Sequence, residues 1–217
     1  MSTDQGTPAE GSIIVSGTGR VAVSPDVADL RLGVVVTRPT VDAARAEAAS
    51  TMTAIIAALD TAGIERRDVR TSLVSVQPRY DYRDGKAPLL TGYEISELVE
   101  VTVRDLERVG DVIDGTLAAG ATRLDDLSFR VADPTAAERE ARQRAMAEAR
   151  ARADVLAEAA GISVTGVVGI VEGGVAPPVP LPRMKAERMM MAADVSTPVE
   201  AGTTEIAVSV TVTYRTT

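Results

Sequence analysis

The chain lacks histidine, cysteine and tryptophan, and among its 217 residues it has a single phenylalanine and four tyrosines. Each absence removes chemistry. Without Cys or His there is no zinc site of the usual donor set and no Ser-His or Cys-His nucleophile. Thiol redox centres and haem attachment through either residue are excluded as well. Without His, no side chain has an ordinary pKa between about pH 5 and 8. With aromatics at 2%, a sugar-stacking platform for a carboxylate-pair hydrolase is hard to build. No run approaches the ~20 consecutive apolar residues of a membrane-spanning helix. A net charge of −8 and a pI of about 4.7 oppose non-specific attraction to nucleic acid or to anionic membranes. The opening residues Met1 to Glu10 are polar and acidic, with neither a basic n-region nor an apolar h-region. As it stands the sequence therefore reads as cytoplasmic. The alternative is a periplasmic or extracytoplasmic protein whose export signal has been removed.

What remains is well punctuated. A helix is predicted from Thr40 to Ala62, with Val41, Ala44, Ala48, Met52, Ile55 and Leu59 on one stripe. A second starts at Asp105, carries Leu106, Val109 and Ile113 and ends near Ala119. A third takes Asp133 as N-cap and Pro134 as its first residue. It runs to Ala160, with Glu138/Arg142, Glu140/Arg144 and Glu148/Arg152 spaced for i,i+4 ion pairs. Each helix closes on Ala-Gly, at Gly63, Gly120 and Gly161, where glycine supplies the left-handed residue that ends the last turn.

Alternating segments between the helices predict strands. The first carries Ile13, Val15, Val21 and Val23 on one face, and the second Ala28, Leu30, Leu32, Val34 and Val36 with Asp29 and Arg31 opposite. A third spans 69–82. A fourth sets Tyr93, Ile95, Val99, Val101 and Val103 against Glu94, Ser96, Glu100, Thr102 and Arg104. Leu127, Phe129 and Val131 mark a fifth, 164–171 a sixth, and Ile206 to Tyr214 the last. The order β-β-α-β-β-α-β-α-β-β predicts an α+β fold of largely antiparallel sheets with helices on one face. A division near Arg104 gives a ββαββ lobe (12–104) and an αβαββ lobe (105–216), preceded by a disordered tail at 1–11. A Pro- and Met-rich connection fills about 173–202, long enough to be either functional or disordered.

Several of these segments, in order, resemble the SIMPL-domain family, a bacterial group of YggE-like and periplasmic immunogenic proteins. They are Val15-Ser16-Gly17-Thr18-Gly19, Pro25-Asp26 with Leu30 to Val34, Gly63-Ile64, and Asp68 to Ser72. Pro78 to Tyr82, Gly92-Tyr93, Val101 to Leu106, Ala151 to Gly161 and the Pro198 to Gly202 approach to the last strand complete the set. The resemblance spans about 12–216. It implies two α+β lobes, a tendency to ring-like or hollow homo-oligomers, an envelope location and a loose link to oxidative stress. It carries no catalytic residue with it.

Candidate chemistry is correspondingly thin. Gly17-Thr18-Gly19-Arg20 has a nucleotide-loop look but lacks the full glycine pattern and lies inside a strand signal, so a glycine-relaxed strand or bulge explains it better. Asp81, Asp84, Glu94, Glu97 and Glu100 around one hairpin, and Asp125-Asp126, read as solvated strand faces and turns rather than catalytic pairs. Tyr80, Tyr82 and Tyr93 gather near the Asp84-Gly85 turn, where they suit either a protomer interface or cross-strand packing within the hairpin. Met184, Met189, Met190 and Met191 could supply thioethers to Cu(I) or take up oxygen as sulfoxides. A flexible apolar segment packing on a neighbouring subunit is the plainer reading. The sequence thus predicts a non-enzymatic, self-assembling protein without a cofactor, whose interface candidates are Tyr80, Tyr82, Tyr93, Met189, Met190 and Met191. The rival reading is a small-ligand or peptide module with 173–202 as its lid.

Overall fold

The structure, a computed structural model, describes residues 11–82, 87–175, 179–181 and 197–217. Along them run β1 (Ser12–Val23), β2 (Val27–Arg38), α1 (Val41–Thr61), β3 (Val69–Asp81), β4 (Leu89–Val103) and α2 (Val109–Ala118). β5 (Arg123–Arg130), α3 (Thr135–Ala160), β6 (Val164–Val175), β7 (Val179–Leu181) and β8 (Thr203–Thr216) follow. Short 3-10 turns at Arg66–Asp68 and Leu106–Arg108 lead into β3 and α2. The α+β order read from the sequence is the order found, with one addition. β7 lies in the segment read as connection and pairs with β8, and its Pro180 is tolerated because so short a strand sits at a sheet margin.

Local chemistry sets the helix limits. The Thr40 hydroxyl accepts from Ala43 N at 3.3 Å, and the Asp105 carboxylate accepts from Glu107 N at 3.2 Å. α3 begins one residue later than its N-cap assignment predicts. Asp133 still caps the first turn, accepting from Thr135 N at 3.0 Å, but Pro134 occupies the cap position. All three predicted glycines have positive φ, at +78°, +104° and +69° for Gly63, Gly120 and Gly161. The amides of Ile64, Ala121 and Ile162 then reach back to Leu59, Thr116 and Ala157, each at 3.0 Å.

The strands form two four-stranded antiparallel sheets. In one, β8 lies between β1 and β6 and also pairs with β7; in the other the order is β3-β4-β2-β5. The described residues fall into two compact units, those within 1–24, 131–184 and 202–217 and those within 25–130 and 185–201. This partition is interleaved along the chain, whereas sequence order suggests a boundary near Arg104. The first strand pairs with the last over its whole length, from Ser12↔Arg215 to Val23↔Thr204, a contact that no local pattern announces.

In the first unit α3 packs on β1 and β8 through Ala141, Ala145, Ala149, Ala153 and Ala157, one residue every fourth position and all buried. Opposite them stand Val15, Val21, Val208, Val210, Val212 and Tyr214. In the second, α1 lies on β2 and β4 and α2 packs against α1. The stripe Ala44, Ala48, Met52, Ile55 and Leu59 meets Leu30, Leu32, Val34, Val99 and Val101. The predicted stripe holds except for Val41, which is exposed. Among the described residues no helix is long and apolar enough to cross a membrane.

Candidate functional site

Two surfaces of the second unit stand out. The first is the β3–β4 hairpin. A helix is about 10 Å across and strands lie about 4.8 Å apart, so α1 covers two strands, β2 and β4, and leaves β3 outside. No residue of β3 is buried. Val76 pairs with buried Ile95 on the helix-facing side, yet Val74 is 63% exposed and Val76 51%. Leu73, Tyr80, Leu89 and Leu90 are exposed too, and Tyr82 most of all at 76%.

Tyr80 and Tyr82 are neighbours on the same side of the hairpin turn, ring centroids 6.3 Å apart and planes tilted at 56°, so their contact runs along one strand and is not the cross-strand packing expected of them. Tyr93 is half-buried, opposite Pro78, and does not join that pair.

The second surface is the face of the β3-β4-β2-β5 sheet opposite α1. Here the register places Asp29 opposite both Thr102 and Ser128, and Arg31 opposite both Glu100 and Asp126. Together with Arg67, Asp68, Arg70 and Arg130 they line a basin of about 550 Å³. Charges alternate within it. Arg31 Nη2 reaches Glu100 Oε1 at 3.0 Å, and Arg70 Nε reaches Glu100 Oε2 at 2.8 Å. Arg130 Nε holds Asp29 Oδ2 at 2.5 Å, and the Thr102 hydroxyl donates to Asp29 Oδ1 at 2.8 Å. At the margin Arg104 clasps Asp68 through Nη2 at 2.7 Å.

The electrostatics follow. Arg70, then Arg31, holds the Glu100 carboxyl below its ordinary range, and Arg104 does the same for Asp68. Burial pushes Asp29 up, but the hydrogen bonds from Arg130 and Thr102 and the Arg130 charge outweigh it and leave a lowered pKa. Carboxylates held ionised in this way accept hydrogen bonds and do not donate protons near neutral pH.

The acids singled out from the sequence are scattered by the fold. Glu94 is paired with Arg79 at 2.6 Å and Asp125 with Arg123 at 2.5 Å. Glu97 stands beside buried Val34, and burial raises its pKa. Glu100 and Asp126 alone of these acids line the basin. Among the described residues no three acidic side chains converge closely enough to hold a metal ion. Asp84, Gly85, Met184, Met189, Met190 and Met191 lie outside the described residues.

Gly17-Thr18-Gly19-Arg20 is neither a nucleotide loop nor a bulge: it pairs with β8 in unbroken register. Its glycines serve the approach of α3, because a Cβ on Gly17 would stand 2.6 Å from Ala149 N, and one on Gly19 2.6 Å from Ala145 N. The basin went unread in the sequence because its members are split among four strands and a turn. The legible trace was the every-second-residue spacing of Asp29/Arg31, Glu100/Thr102 and Asp126/Ser128/Arg130, which puts each set on one face.

Comparison with known proteins agrees with this fold. The 26 kDa periplasmic immunogenic protein of Brucella melitensis biotype 1 is 38% identical over 219 residues, covering 98% of this chain and 87% of its own length. Its namesake in Brucella abortus (strain S19) is likewise 38% identical. The uncharacterized protein YggE of Escherichia coli (strain K12) is 35% identical over 145 residues, covering 67% of this chain and 58% of its own length. These relatives overturn the cytoplasmic location read from residues 1–10: proteins named periplasmic align with nearly the whole chain, and a polar opening carries no weight against that. The SIMPL family model, described as a protein of unknown function (DUF541), matches residues 13–214. Sheets, capped helices and relatives converge, and the chain belongs to the SIMPL family.

Proposed function

We propose that this chain is a non-enzymatic, self-assembling periplasmic protein whose β3–β4 hairpin joins copies into a ring-like or hollow homo-oligomer serving the envelope. The observation that carries this reading is the outer edge of β3, unpaired among the described residues, with Leu73, Val74, Val76, Tyr80, Tyr82, Leu89 and Leu90 exposed on one hairpin. A clustered apolar surface on a sheet edge is costly in water and aggregation-prone unless another chain covers it. From Thr71 to Gln77 the strand carries no charge, so nothing on it repels a pairing strand. The periplasmic names of the relatives support the location.

Light scattering at micromolar concentration tests the proposal. The wild-type chain should show a mass several times that of one copy, and Val74→Lys with Val76→Lys should reduce it to a monomer with an unchanged circular dichroism spectrum. A monomeric wild type would refute self-assembly, and an oligomer indifferent to the two lysines would remove the hairpin from it.

The binding-module reading has one observation in its favour, the polar basin. Against it, the floor carboxylates are already engaged by guanidinium groups, and pockets for small ligands are mostly apolar.

A further inference from the structure

We infer that α3 is an edge guard for the first sheet: Arg144, Glu148 and Arg152 occupy the positions along β1 that a pairing strand would take, so this edge is closed to strand addition.

β1 is the outer strand of its sheet, with β8 on its other side. In an antiparallel strand, alternate residues turn both backbone groups to the same side, so half of the N–H and C=O groups of an edge strand face outward and offer a template to any extended chain. On β1 three of these groups are already taken by side chains of one helix. Arg152 Nη1 donates to Ser16 O at 2.7 Å. Thr18 N donates to Glu148 Oε2 at 2.5 Å. Arg144 Nη1 donates to Arg20 O at 2.5 Å. Donors meet carbonyls and the acceptor meets the amide, as a neighbouring strand would arrange them.

The match has a geometric cause. Four residues of helix advance about 6.0 Å and two residues of strand about 6.6 Å, so the row 144-148-152 stays in step with the row 20-18-16. Two further features make it possible. Gly17 and Gly19 let the backbone of α3 lie close against β1, which brings the row within reach of the edge. Each cation of the row is also held by an acid one turn earlier, Arg144 by Glu140 at 2.5 Å and Arg152 by Glu148 at 2.6 Å. The i,i+4 pairs legible in the sequence therefore aim the guard as well as support the helix.

A guarded β1 leaves strand pairing to other edges. This part rests on the proposed self-assembly: with β1 closed, strand pairing between copies falls to the other outer strands, β3 among them. The closure of β1 stands without it.

The test is the full chain carrying Arg144→Ala, Glu148→Ala and Arg152→Ala. Alanine favours helix most, and the buried Ala141 to Ala157 stripe is untouched, so the fold should persist. In Glu148→Ala, exchange of the Thr18 amide should quicken about tenfold or more. Glu148→Gln, which keeps an acceptor, should restore most of the protection, and the Gly17 amide should not change. The triple variant should gain concentration-dependent mass by light scattering beyond wild type, and should do so equally in the Val74→Lys, Val76→Lys background. Unchanged Thr18 exchange, or a triple variant with wild-type mass at every concentration, would overturn the guard. Simultaneous loss of Gly17 protection would also overturn it, by showing that the row only holds the fold together. A monomeric wild type whose triple variant associates would refute the proposed assembly and leave the guard standing.

Discussion

Gly17 and Ala149 lie so close that the backbone of one leaves no room for a side chain on the other: a Cβ on Gly17 would stand 2.6 Å from the Ala149 amide nitrogen. The stripe of small residues on α3 and the two glycines of β1 form a single contact, helix backbone against strand backbone. Gly17→Ala or Gly19→Ala must push α3 off the sheet. The expected cost is about 3 kcal/mol, the upper part of the usual range for overpacking, since backbone cannot step aside as a side chain can. Gly166, in β6, has nothing within 4 Å of its Cβ position, and Gly166→Ala should be neutral or stabilising by up to about 1 kcal/mol. Urea denaturation of the three variants checks both.

Stability should be nearly flat from about pH 8 to 5 and fall on further acidification. The chain has no His, so little titrates in that window. Asp29, Asp68, Glu100 and Asp133 all have lowered carboxyl pKa values. Below an ordinary carboxylate value of about 4 the unfolded chain binds protons that the folded chain does not. The stabilisation these groups supply is therefore complete above about pH 4 and is lost as the pH falls through their folded values. Urea midpoints measured from pH 7 down to about pH 3 should show a plateau and then a decline.

Glu97 should behave in the opposite sense. Burial raises its pKa, so its charged form is worse off folded than unfolded. That cost is absent below the unfolded value of about 4.3 and complete once the pH exceeds the folded value. Glu97→Gln should raise the melting temperature at pH 7, and the gain should vanish near pH 4. A lower melting temperature for the variant at pH 7 would show that the carboxylate has a partner worth more than its desolvation.

Asp114, on α2, ties down the chain where it returns from the Pro/Met-rich connection. Its Oδ2 accepts from Thr197 N at 3.0 Å and its Oδ1 from the Thr197 hydroxyl at 2.6 Å, while Val199 packs against the core of the same unit. Asp114→Ala removes both bonds and should cost about 1–2 kcal/mol locally. Hydrogen exchange should show the Thr197 amide opening at least about tenfold faster while the α1 amides keep their protection.

How much of this was legible beforehand depends on range. The helices, their caps and the faces of the strands follow from residues within one or two turns of each other. Thr40, Asp105, Gly63, Gly120 and Gly161 all act within a few positions, so the chain announces them locally. The i,i+4 pairs of α3 were legible as pairs for the same reason, as were the stripes of α1 and α3. The candidate surfaces were only half legible. Tyr80 and Tyr82 could be placed on one hairpin, but their exposure depends on α1 covering β2 and β4 and stopping short of β3. The basin needed Asp29, Arg70, Glu100 and Arg130 brought together from four strands. The guard needed Arg152 set beside Ser16, 136 residues away. By itself the sequence determined the three helices, every strand except β7 and the face most of them would hide, because backbone conformation and amphipathic period are local properties. Only the tertiary structure decided which strands became edges, which edge was covered and which charges met, because those outcomes depend on the pairing of residues far apart in the chain.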